Sequence, residues 1–137
     1  MEKIAEKFEK EGVDGLMLAH CNFGTEYVCA RLAKRLGLPV LLWGPLDERP
    51  EPNGERLRDT QCGLFATGKV LRRFRVPFTY LTNCRLSDPV FERGVRDFLA
   101  VCNVVKTFKK YPDPADFDAS VRFLDDDVQR GRAAGEV

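Results

Sequence analysis

A short apolar run followed by a helical stripe occurs three times in this chain, and that repetition restricts its fold more than any other feature. The runs are VDGLMLA at 13–19, PVLLWG at 39–44 and VPFTYLT at 76–82. After the first, Val28, Cys29, Leu32, Ala33 and Leu36 recur at helical spacing over 25–36, with Arg31, Lys34 and Arg35 on the other side. After the second, residues 59–74 read as a helix with Asp59 or Thr60 as its N-cap and a basic end that suits the helix dipole. Ser87-Asp88-Pro89 opens the third helix, whose apolar face runs through Phe91, Val95, Phe98, Cys102 and Val105. A further amphipathic helix over 1–11, with Ile4, Ala5 and Phe8 on one side, stops at Gly12.

Strand–helix alternation of this kind predicts an α/β fold. The expected form is a parallel three-layer sheet, Rossmann- or flavodoxin-like, with helices on both faces and right-handed crossovers. The unbroken apolar character of 13–19 predicts a strand covered on both faces. Three strands make a narrow sheet with open edges, so a fragment of a larger multi-domain fold is expected. Residues 1–110 read as the α/β domain. Residues 111–137 read as a divergent tail, with a proline-broken start, one short helix around Val121, Leu124 and Val128, and a frayed end.

Charge and cysteine usage narrow the function. With 22 basic and 21 acidic residues the net charge is +1, which supplies no strong pull towards nucleic acid or an anionic membrane. No apolar run approaches the roughly 20 residues of a membrane span, and MEKIAEKFEKEG lacks the apolar core of a secretory signal. A cytoplasmic location is expected. The five cysteines (21, 29, 62, 84 and 102) are widely spaced with no C-x-x-C, which suits small core residues better than a zinc site or a disulfide framework.

In open parallel sheets ligands bind beyond the carboxyl ends of the strands. The turns expected there are HCNFGTE, GPLDERP and NCRLSD. The first places Gly24 at a helix N-terminus, where free backbone N–H groups suit a phosphate, a carboxylate or a hydroxyl. Neither G-x-G-x-x-G nor G-x-x-x-x-G-K-[ST] is present. His20, the one histidine, is a candidate general base, against the alternative of a satisfied strand-end histidine. Neighbouring strand residues point to opposite faces, so His20 and Cys21 do not make a dyad. Asp47, Glu48, Glu51 and Glu55 are metal-ligating candidates or simply a solvated loop, and the prolines and Asn53-Gly54 of that loop predict mobility. Trp43 suits either stacking on a sugar ring or a place in the core. Asp125, Asp126 and Asp127 cannot converge on one ion from a helix and read as a solvated face.

Three strings carry a family resemblance: NFGTE after the first strand, LLWGP with a nearby Asp-Glu, and RDTQCGLFA. Over residues 12–108 the chain resembles the N-terminal part of L-fucose isomerase-like proteins, of the L-fucose/L-arabinose isomerase superfamily. The resemblance implies carbohydrate metabolism and aldose–ketose interconversion by proton transfer along an enediol, with a divalent metal, usually Mn2+, holding neighbouring hydroxyls. In such proteins the metal ligands lie in a later, C-terminal half, which the sequence past residue 110 does not resemble. The resemblance therefore implies a truncated family member that is inactive alone, with no catalytic residue, no metal ligand and no cofactor in this chain. It implies Asn22, Gly24, Glu26, Trp43 and Asp47 as pocket-wall residues, a packing surface at Cys62, Gly63 and Ala66, and a sugar ligand and a homo-oligomer as partners. The alternative is a stand-alone α/β module that binds a sugar, a sugar phosphate or a protein.

Overall fold

Leu16–Ala19 (β1), Val40–Trp43 (β2) and Thr79–Tyr80 (β3) pair in parallel in the order β1-β2-β3, in a computed structural model that describes residues 1–21 and 24–110. The register sets Leu16 beside Val40 and Ala19 beside Trp43, and Leu41 beside Thr79. Helices α1 (Glu2–Glu11), α2 (Glu26–Leu36), α3 (Thr60–Arg73) and α4 (Pro89–Lys110) complete the architecture. The tail assigned to 111–137 lies outside the described residues. The chain divides into two compact units, Met1–Asn103 and Val104–Val137. The sheet and both cores below belong to the first; residues 104–110 of the second are helical.

Side-chain alternation along β2 builds a core on each face of the sheet. Val40 and Leu42 join Leu16 and Leu18, Ala30 and Ala33 of α2, and Leu64 and Leu71 of α3, with Phe8 of α1 packed against them. Leu41 and Trp43 join Leu81, Cys84, and Phe98 and Cys102 of α4 on the other face. All four residues of β2 are therefore buried, as a central strand requires. The expected α/β layers are present, with a three-stranded parallel sheet between helices on both faces.

β1 departs from the expectation of burial on both faces. Leu16 and Leu18 are buried, but Met17 is 39% exposed and Ala19 is exposed too. Among the described residues β1 is a sheet edge, and just before it Gly15 meets α4, where a methyl group would lie 2.5 Å from Cys102 Sγ. β3 is shorter than its apolar run because Val76 and Phe78 pack into the first core, next to the end of α3, instead of extending the ladder. On α1, Ala5 and Phe8 face the core while Ile4 is 49% exposed, which is narrower than the expected stripe. Gly12 and Gly37 end α1 and α2 in the left-handed conformation at φ 64° and 59°. α3 ends differently: Arg75 takes φ 55° while its N–H and that of Val76 bond back to Arg72 and Leu71.

Candidate functional site

The turns after the three strands gather at the carboxyl edge of the sheet. His20 follows β1 and continues the ladder, its N–H donating to the Trp43 carbonyl at 2.8 Å. Its ring is buried, 6% exposed, with Nε2 2.7 Å from the Thr67 hydroxyl of α3. Nδ1 finds no partner among the described residues. Cys21 is exposed, so the two neighbours point apart and form no dyad.

Gly24 is exposed, and a methyl group there would sit 4.0 Å from His20 Cε1. Glu26 is partly exposed in the first turn of α2, whose N-terminus has no side-chain cap. Asn22 lies outside the described residues. Trp43 is 5% exposed, its ring tilted against Phe91 with centroids 4.8 Å apart. Its faces are thus packed in the second core, and its indole N–H has no partner among the described residues.

Asp47 spans the other side of the site. Both carboxylate oxygens accept from the Thr60 N–H, at 3.0 and 3.1 Å, and so cap α3. Asp59 occupies the expected N-cap position but makes no side-chain cap bond. Desolvation works to raise the Asp47 carboxyl, but hydrogen bonds from Thr60 and the Gln61 backbone, together with Arg58, hold it below the ordinary aspartate value. The loop expected to be mobile is tied at its base, where Arg58 Nε donates to Glu48 at 3.0 Å. Further out, Glu51 N–H donates to the Glu55 carbonyl at 2.8 Å, and Glu55 N–H to the Asn53 side chain.

Gly44 explains how closely these pieces meet. A methyl group there would lie 2.8 Å from the His20 carbonyl and would run into the Thr60 side chain. The third turn joins through Asn83, which accepts from the Tyr80 hydroxyl at 2.8 Å and donates to the Pro45 carbonyl at 3.4 Å. Sequence reasoning missed Thr67 altogether, and named Thr60 only as a possible N-cap and Asn83 only as part of a turn. The available signal was the polar Thr67 amid the small apolar residues of α3. In the proposed packing surface, Cys62 is exposed, Ala66 partly so, and Gly63 buried.

Among the described residues no three His, Cys, Asp or Glu side chains gather to hold a metal ion. Near the site Asp47 is engaged by the start of α3 and His20 Nε2 by Thr67, which leaves Nδ1 as a lone nitrogen donor with no second ligand grouped beside it among the described residues. These residues do not fit the divalent metal of aldose–ketose isomerases. No helix among the described residues is long and apolar enough to cross a membrane.

Residues 1–109 match the model of the fucose/sulfoquinovose isomerase N-terminal domain. The chain belongs to this family. Because that model covers fucose and sulfoquinovose isomerases together, membership is of the wider family and not of L-fucose isomerases in particular. Comparisons with curated proteins and with solved structures find no significant match. Within this isomerase-family domain, the matched stretch contains the sheet and all three turns at its carboxyl edge.

Proposed function

We propose that this domain forms one wall of a sugar-isomerase pocket and that isomerisation depends on metal-ligating residues elsewhere. The observation that supports this is a family N-terminal domain whose strand-end turns converge while its described residues gather no metal-binding group. Gly24, Glu26 and the 44–47 segment face the sugar. Trp43 backs the wall from the core. The domain acts in carbohydrate metabolism in the cytoplasm, and the pocket closes against a neighbouring subunit of a homo-oligomer.

Two measurements test this. The chain incubated with L-fucose and Mn2+ is expected to form no ketose, and turnover would overturn the assignment of chemistry to other residues. L-Fucose titrated into the 15N-labelled chain is expected to shift the amides of 24–26 and 44–47 saturably. A titration that leaves both segments unmoved removes the pocket wall.

A further inference from the structure

We infer that His20 is a sugar-contacting residue of this wall, with Nδ1 hydrogen-bonded to a hydroxyl that also accepts from the first backbone N–H groups of α2. This rests on the proposed pocket wall and adds to it a residue outside the Gly24, Glu26, Trp43 and Asp47 set.

Two independent features coincide at the end of β1. The first is the start of α2, which no side chain caps, although helix N-terminal N–H groups need partners. The second is the imidazole itself, 6% exposed yet with Nδ1 unpartnered among the described residues. Leaving a buried nitrogen unpaired is costly.

The geometry aims the ring. Thr67 bonds Nε2, and Cε1, the ring carbon next to Nδ1, is the nearest atom to a methyl group built at Gly24, at 4.0 Å. The chemistry selects a hydroxyl. If the Thr67 hydroxyl donates to Nε2, Nδ1 carries the proton and donates; if Nε2 donates, Nδ1 accepts. A sugar hydroxyl complements either tautomer, whereas a sulfonate or carboxylate complements one. Glu26 in the first turn of α2 adds a second acceptor for a hydroxyl and repels an anion.

The test is an NMR titration of the full 15N-labelled chain with L-fucose, observing the imidazole nitrogens and the amides of Thr25 to Tyr27. The expected result is a saturable shift of Nδ1 together with those amides. His20→Gln and Thr67→Val, the second keeping the imidazole but releasing it, are each expected to weaken binding at least several-fold. Shifts confined to 44–47, or unchanged affinity in both folded variants, would overturn the role of His20 and leave the wall intact. No saturable shift anywhere would overturn both.

Discussion

Asp47 closes the turn after β2 onto Thr60, thirteen residues further along the chain, with both carboxylate oxygens within 3.1 Å of the Thr60 N–H. The helix start is thus capped from a distance, and α3 is fastened to the end of the strand that precedes it. Asp47→Ala should cost about 1 kcal/mol, the usual worth of a helix N-cap. Urea denaturation should show a lower midpoint with little change in slope.

The same carboxylate makes stability pH-dependent. Its value is lowered in the fold, so its contribution is complete above the ordinary aspartate range and is lost as pH falls through the lower folded value. Asp47→Asn keeps a capping oxygen but cannot titrate. Its urea midpoint should fall less steeply than that of the parent chain below about pH 4, the ordinary carboxylate range. Parallel curves would show that Asp47 contributes no acid sensitivity.

Thr67→Val removes the hydroxyl that holds His20 and leaves a second imidazole nitrogen unpaired in the core. The expected loss is about 1–3 kcal/mol, with Thr67→Ser closer to the parent because it keeps the hydroxyl. Thermal midpoints of the three proteins rank the bond directly.

Gly44→Ala forces a methyl group against the His20 carbonyl and the buried Thr60 side chain. Backbone cannot yield as a side-chain end does, so overpacking of about 1–3 kcal/mol is expected. Gly68→Ala is the control, because its nearest neighbour, Phe78 Cζ, would stand at an ordinary 3.5 Å.

How much of this was legible in the sequence depends on the range of the interaction. The helices follow from local periodicity, and their observed ends fall within a residue or two of the expected ones, as for Glu26–Leu36 and Thr60–Arg73. β2 is legible because a central strand is apolar at every position. β1 and β3 are edges among the described residues, so their exposure and length depend on which neighbours cover them, and a one-dimensional pattern does not carry that. The site is harder still. Asp47–Thr60 and His20–Thr67 join residues 13 and 47 positions apart, and no local pattern in the sequence names those partners. The family strings fall on two of the turns at the carboxyl edge and on the start of α3, and do not show which atoms are left unpaired.

Arg75 occupies the left-handed position after α3 that glycine fills after α1 and α2. A non-glycine residue there carries a conformational cost of roughly 1 kcal/mol. Arg75→Gly should recover part of it, the remainder being offset by the greater freedom of glycine in the unfolded chain. A raised urea midpoint is the expected reading; a lowered one would mean that the Arg75 side chain contributes more than the strain.

Trp43 is the chain's one tryptophan, so its fluorescence reports a single place. With the residue 5% exposed and the ring packed on Phe91, emission should be blue-shifted in the folded protein and weakly quenched by acrylamide. If the ring backs the wall instead of stacking on sugar, saturating L-fucose should change acrylamide access little, because the ring is already shielded. Phe91→Ala tests the packing from the other side: opening the second core should raise quenching sharply. Strong quenching in the parent chain that L-fucose suppresses would instead show that the indole offers its face to the ligand, and would move Trp43 from the back of the wall to its surface.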